Sequence, residues 1–561
     1  MCYRILLRFF TLLVLASVWQ PGQAAELVGT VIDADSGLPI PARIYIEDVA
    51  GKWWFVQSVS PMGSAVPYRE QWVPIPHSVE QHTTVSADPF CADLPAGAYR
   101  VTIERGKEYL PLTETITMGD QPHQQTFRLQ RWVNMAQRGW FSGETHVHRR
   151  IAELPNVMLA EDLNVAFPVT FWTTRAQTKP GLEPSSLRSQ GPSPWGPRVD
   201  CGYAPIAVDA THVMFPRNTE YEIFTVQGQQ HVLGAIFVLN HRTVFQQGVP
   251  PIGKIARQVH LEGALLDLDK HNWPWSMMLV PVAKIDLYEL ANNSVWRTKF
   301  GMRHTSVAPA PFMRVETTEG GMTEWGWLNY GFETYYMLLN CGFRLQPTAG
   351  TASGVHPVPL GYSRVYVHVG KTFDAQAWLK GLRQGRSFVT TGPMLLATLD
   401  QQDPGERVVQ REPTEQKYHL QLESISARPL DRIEVVVNGR VLRTLRPNIS
   451  PDHEPYVFTW EGDITIDESS WVAVRSFQIN PQGRVRFAHT APWHIEVANR
   501  PIRPRREQVE YLVKRMREEI ARNQTVLSHE ALEEFHQALS TYEALLDRVA
   551  PSENRAPAEA K

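Results

Sequence analysis

The period of the apolar positions changes several times along the chain. Residues 26–131 alternate, as in Leu27-Val28-Gly29-Thr30-Val31 and Ala42-Arg43-Ile44-Tyr45-Ile46, with a turn at Asp33-Ala34-Asp35-Ser36-Gly37 between them. A period of two puts successive side chains on opposite faces and predicts strands. Asp93-Leu94-Pro95-Ala96-Gly97 reads as a turn that feeds another strand over 98–103. From 134 to 400 the apolar runs are longer. Those at 167–172, 231–239 and 278–290 are strand-like and alternate with helix-like stretches. A helix is predicted over 374–384: Asp374 can cap it, Trp378, Leu379 and Leu382 share a face, and Gly385 can end it. Strand and helix alternation over roughly 260 residues is barrel-sized.

Residues 415–497 return to alternation. The run 433–437 meets Asn438-Gly439, the strongest short hairpin signal, and 471–475 and 485–489 are further strands. Residues 503–549 carry two helical stripes. Val509, Leu512, Met516 and Ile520 form one, and Leu532, Phe535, Leu539, Tyr542 and Leu546 the other, with Ser528 as a cap. This is a helical hairpin expected to pack on the body. The polar tail after Ala550 is expected to be disordered.

At the N-terminus, Arg4 and Arg8 accompany an apolar stretch over 9–19, and Gly22-Gln23-Ala24 offers small residues at a cleavage site. This predicts an export signal over 1–24, too short for a stable membrane anchor, and a periplasmic or extracellular protein. Cys2 precedes the apolar stretch, so it is not a lipoprotein cysteine. The rest is long enough for three or four domains at ~150 residues each. A chain that is 43% hydrophobic and 20% charged is globular. A net charge of −3 gives no electrostatic case for nucleic acid. Four cysteines exclude a disulfide scaffold. Without Cys2 an odd number remains, Cys91, Cys201 and Cys341, read as buried or incidental.

The sharpest chemical feature is Gly139-Trp140-Phe141-Ser142-Gly143-Glu144-Thr145-His146-Val147-His148-Arg149. On a strand, His146 and His148 point to one face and can offer two imidazoles to one ion. With 19 histidines in 561 residues, chance gives about 0.6 such pairs, so the pair alone decides nothing.

Its surroundings resemble the PHP (polymerase and histidinol phosphatase) superfamily, in its CehA/McbA-like metallohydrolase branch. There "W-x-x-G-D-x-H-x-H" opens a distorted seven-stranded β/α barrel. Here the segment runs from Trp140 to His148, with Glu144 in place of the Asp. The segment 336–342 leading into Thr348-Ala349-Gly350-Thr351-Ala352-Ser353-Gly354-Val355-His356 resembles the family's "L-L-N-x-G…A-G-S-D-x-H". Gly385-Arg386-Ser387-Phe388-Val389-Thr390-Thr391-Gly392-Pro393 is similar to its "G-R-x-x-V-T-x-G-P". Residues 26–131, in turn, resemble the carboxypeptidase-regulatory-like sandwich, a non-catalytic module.

The resemblances imply a multidomain chain of α/β and all-β parts: a signal peptide at 1–24, a β-sandwich at 25–133, a PHP-like (β/α)7 barrel at 134–400, a second sandwich at 401–499, a helical hairpin at 500–550 and a tail at 551–561. They imply a metal-dependent hydrolase with a divalent ion, Zn or Mn, held by His146 and His148 and completed by Glu222, His271 and His356. Glu222 falls where the superfamily often has a bridging carboxylate, and His231 where a further His often sits. Glu289 or His241 would accept the proton of water, and Arg149 would steady an anion. For Arg149 an ion pair with Glu153, Glu161 or Asp162 is the alternative. His271 and His356 can equally be packed residues.

The family's "T-D-H" signature is absent, since the corresponding residues are Phe171-Trp172-Thr173-Thr174, and Ala352 or Ser353 stands where its downstream Asp belongs. These losses favour one ion over three. The substrate is expected to be a phosphoester, a carbamate or another ester, or a glycan. There is no Gly-x-Ser-x-Gly elbow and no Walker loop. The rival expectation is a catalytically decayed barrel that binds carbohydrate or the cell envelope. A third is a scaffold that assembles partners through the helical hairpin.

Overall fold

The computed structural model describes residues 24–71, 79–182, 202–448, 455–480 and 482–549. The leader except Ala24, Cys201 and the polar tail lie outside the described residues. Among those described, the fold is mixed α/β, with seven α-helices and six sheets. No described helix is long and apolar enough to cross a membrane. Cys91 is a half-buried free thiol and Cys341 a buried one.

The alternating N-terminal residues build two sheets. Ala25–Asp33 pairs antiparallel with Phe90–Leu94 and parallel with His123–Leu129. Ala42–Asp48 lies between Val79–Val85 and Gly97–Glu104. Leu27, Phe90 and Phe127 from the first sheet meet Ile44, Ile46, Val101 and Ile103 from the second in one apolar core. The inward positions are the apolar members of each alternating run, so burial of one face fixes the register.

The twin-histidine strand Trp140–Val147 is central to a twelve-stranded sheet. On one side it pairs parallel with Val165–Pro168, which pairs parallel with Val213–Met214. On the other side come Arg364–His368, Ser387–Thr390 and Val485–Thr490, all antiparallel. This sheet therefore continues past residue 400 into the C-terminal β-segment. A seven-stranded sheet follows the order Gly181–Leu182, Phe171–Arg175, Thr219–Val226, Gln229–Leu239, Leu265–Leu268, Leu287–Ala291 and Gln346–Ala349.

The two sheets are joined at both ends. Thr170 and Phe171 amides donate to Asn218 O at 3.2 and 3.0 Å. At the far end the Ala352 amide donates to His146 O, and the His148 amide to Ser353 O, each at 2.9 Å. The C-terminal ends of Trp140–Val147, Leu265–Leu268, Leu287–Ala291 and Gln346–Ala349 thus come together near the start of Thr219–Val226.

The helix Ala375–Gln384 forms where its pattern places it. Asp374 accepts from the Ala377 amide at 2.6 Å, and Gly385 closes it at φ +75°. The run 278–290 differs from its strand reading. Its first part is the helix Ser276–Leu279 and a π-turn over Val280–Lys284, and only Leu287–Ala291 is a strand. Met278, Leu279, Val280 and Ala283 are all buried, and the residues from 278 to 283 are apolar without a break, so no period can be read until the exposed Lys284.

Asn438 and Gly439 turn the hairpin between Arg432–Val437 and Arg440–Leu445 with φ of +49° and +75°. The three-stranded sheet of Met394–Leu399, Gln416–Ser426 and Tyr456–Ile466 shares an apolar core with this end of the large sheet. The helices Arg506–Asn523 and His529–Leu545 pack on the body. Tyr542 Oη donates to Met277 O at 2.6 Å, and the Glu534 carboxylate accepts from the Ile252 and Gly253 amides at 2.9 and 2.6 Å. The latter contact satisfies orphan amides at the start of the helix Gly253–Glu262.

Candidate metal centre

His146 and His148 lie two apart at the end of their strand, on one face, with Nε2 atoms 3.2 Å apart. Glu220 brings Oε2 to 3.3 Å from His148 Nε2. On the other edge of the His146 ring, Nδ1 is 3.2 and 3.3 Å from the two oxygens of Glu289 and 3.6 Å from Asp269 Oδ1. The ligand atoms of His146, His148 and Glu220 lie within 4.8 Å of one another, and so do those of His146, Asp269 and Glu289. All five side chains are buried.

Burial holds the His146 imidazole well below its ordinary pKa, and His148, Lys270 and His356 push it the same way. A neutral ring carries one proton. Donated from Nδ1 to Glu289, it leaves the Nε2 lone pair aimed at His148 Nε2. Burial raises the Glu220 carboxyl and, aided by Asp269, lifts that of Glu289 well above the usual range. Glu220 Oε2 and Asp269 Oδ1 are buried and accept no hydrogen bond. Imidazole nitrogens and carboxylate oxygens that converge in a buried place form the donor set of a divalent cation. The residues present fit such an ion at His146 Nε2, His148 Nε2 and Glu220 Oε2.

The chain around 350 is shaped to this cluster. A β-carbon on Gly350 would lie 2.1 Å from Glu289 Oε1 and 2.3 Å from His146 Cβ. Gly354 has φ +114°, and a β-carbon there would lie 2.4 Å from His148 O. Glu144, which replaces the expected Asp, points into this segment. It accepts from the Thr351 amide and hydroxyl with one oxygen and from the Gly361 amide at 2.6 Å with the other. It therefore clamps the loop that backs the histidines. Tyr68, from the N-terminal sheets, reaches the same loop, accepting from the Gly354 amide at 2.8 Å and donating to His356 O at 2.5 Å.

Other residues singled out in the sequence fall at varied places. Glu222 lies beside Glu220 on the same strand face, half-buried, its carboxyl pushed up to about 8 by burial and by Glu220. The carboxylate that meets the imidazoles is nonetheless Glu220. His356 accepts from Asn293 Nδ2 at 3.1 Å and is held well below its ordinary pKa by burial and by Lys270 and His148, so it borders the cluster. His271 packs on Tyr330 and Trp327, with ring centres 4.6 and 5.2 Å away, and burial lowers it to about 3. It belongs to neither ligand group. His241 is outside both as well: Nδ1 donates to Thr243 O at 2.6 Å, and Nε2 accepts from Thr219 Oγ1 at 2.8 Å. Both ring nitrogens are engaged, so it has none to offer water. His231 donates to Asn523 Oδ1 at 2.7 Å, at the helical hairpin.

Arg149 stacks on Tyr68, its guanidinium carbon 3.9 Å from the ring centre, with Nη1 4.0 Å from Glu153. Its Nε and Nη2 are buried and make no hydrogen bond among the described residues.

Sequence reasoning missed Glu220, Asp269 and Lys270. Glu220 and Glu222 share a face at a period of two, so pattern alone does not choose between them. Asp269 and Lys270 follow the apolar strand Leu265–Leu268 directly, and the C-terminal ends of strands in α/β sheets are where ligand-binding residues cluster.

No family model and no curated protein matches this chain. Among solved structures it is similar to a two-domain protein from Bacteroides vulgatus containing a predicted PHP-like metal-dependent phosphoesterase. The identity is 11% and the TM-score 0.29, over 64% of this chain and 94% of that one. A likeness of that size carries no argument about fold or function.

Proposed function

We propose that the chain is an exported, metal-dependent hydrolase of the PHP type, in its CehA/McbA-like branch, acting on a phosphoester, a carbamate or another ester. The observation that carries this is the convergence of His146 Nε2, His148 Nε2 and Glu220 Oε2 within 4.8 Å of one another in a buried place. Residues 134–400, from the strand Trp140–Val147 to Ser387–Thr390, are read as the distorted barrel, with the β-segments before and after as sandwiches. The hydrogen bonds joining Thr170–Phe171 to Asn218, and His146–His148 to Ala352–Ser353, support closure.

Two imidazoles and a carboxylate suit Zn²⁺ or Mn²⁺. Such an ion would supply Lewis acidity and water activation at neutral pH. Glu289 fixes the His146 tautomer by accepting from Nδ1, which aims Nε2 at the ion. Arg149 binds an anionic group of the substrate through Nε and Nη2, the edge that Tyr68 and Glu153 leave unengaged.

The test is hydrolysis by full-length protein stripped with chelator and reloaded with Zn²⁺ or Mn²⁺. The panel is aryl phosphomonoesters, phosphodiesters, carboxylic esters and carbamates. Turnover of at least one class, lost on chelation and in His148→Ala, is expected. A metal-loaded protein that turns over none of them contradicts the hydrolase and favours a binding protein on a decayed barrel.

A further inference from the structure

The second carboxylate group already holds a positive charge. Lys270 Nζ lies 2.6 Å from Asp269 Oδ2 and 4.2 Å from the centre of the Trp273 ring, and its side chain is only 10% exposed. The other oxygen of Asp269 is buried without a hydrogen bond and faces His146 Nδ1 at 3.6 Å. Asp269 and Glu289 thus form a second donor group on the far edge of the His146 ring. A neutral His146 can serve only one of the two groups through a lone pair, because its other nitrogen carries the proton.

We propose that the Lys270 ammonium stands in for a second metal ion, so that the wild-type cluster takes one divalent cation and the loss of Lys270 uncovers a latent second cation site at Asp269 and Glu289. The inference rests on the metal-site reading above and deepens it. Lys270 is tethered from both sides, by the carboxylate and by the indole face, so the charge is fixed in place rather than exchangeable. Removing it leaves buried carboxylates with no cation, a state relieved only by protons or by a second ion.

The test is the number of ions bound by the full chain after equilibrium dialysis against Zn²⁺ or Mn²⁺, read by elemental analysis. The expected counts are about one per chain for wild type and Lys270→Arg, about two for Lys270→Gln, and about one again for Lys270→Gln combined with Asp269→Asn. Two ions in wild type, or one ion in a folded Lys270→Gln protein, overturns the inference while leaving the single-ion site intact. No ion in any form removes the functional reading, and this inference with it. If Lys270→Gln does not fold, Lys270→Met is measured in its place, and the wild-type count remains a test by itself.

Discussion

Gly350 lies so close to Glu289 that a β-carbon would sit 2.1 Å from Oε1. Real atoms do not approach so closely, and His146 Cβ would lie only 2.3 Å away as well. Gly350→Ala must displace Glu289, His146 or the loop. Metal affinity should fall at least ~10-fold, the effect of losing a partner that orients a ligand. A zinc titration alongside a thermal melt checks this. An unchanged affinity in a folded variant would mean that Glu289 does not orient His146.

Glu144 clamps Thr351 and Gly361 without entering the ligand groups. Glu144→Gln keeps the shape but turns an N–H₂ toward one of the amides. The expected cost is about 1–3 kcal/mol of stability, from one donor left facing another. Denaturant unfolding measures it. No loss would show that the clamp is dispensable.

Burial lowers His489 to about 3, and its ring donates to Thr490 O and accepts from Tyr336 Oη at 2.6 and 2.8 Å. Folded His489 stays neutral down to that pH, whereas the unfolded chain takes up a proton below ~6.5. Unfolding therefore binds protons, and stability falls as pH drops from about 6.5 toward 3, at up to ~1.4 kcal/mol per pH unit for this group. His82 and His241, each lowered by burial to about 4, add to the same trend. Melts between pH 7.5 and 5 should show the loss, and His489→Gln should shed about one proton's worth of the slope. Equal slopes in the two proteins would contradict the assignment.

Trp378 is fully buried, and its Nε1 donates to Phe141 O at 2.8 Å, which ties the capped helix to the twin-histidine strand. Trp378→Ala should cost about 3–5 kcal/mol. Asp374→Ala, which removes only the cap, should cost about 1 kcal/mol. The ratio of the two in denaturant unfolding separates packing from capping.

Much of this was legible in the sequence because the signals were local. Asp374 and Gly385 bound their helix, Asn438-Gly439 turned their hairpin, and Ser528 capped the last helix, accepting from the Ala531 amide. His146 and His148 sharing a face followed from the strand period. The 278–290 run was not legible, because its unbroken apolar stretch over 278–283 shows no period. Glu220 was hidden by its equivalence to Glu222. Lys270 was hidden for a different reason. A lysine after a strand reads as a solvated end, and only the fold shows that carboxylates and Trp273 enclose it.

The most direct measurement is an anomalous-difference map from crystals of the full chain soaked in Zn²⁺. The account predicts a peak bonded to His146 Nε2, His148 Nε2 and a Glu220 oxygen at ~2.0–2.2 Å. A map with no peak between the two imidazoles, or with zinc bound only elsewhere, would contradict it.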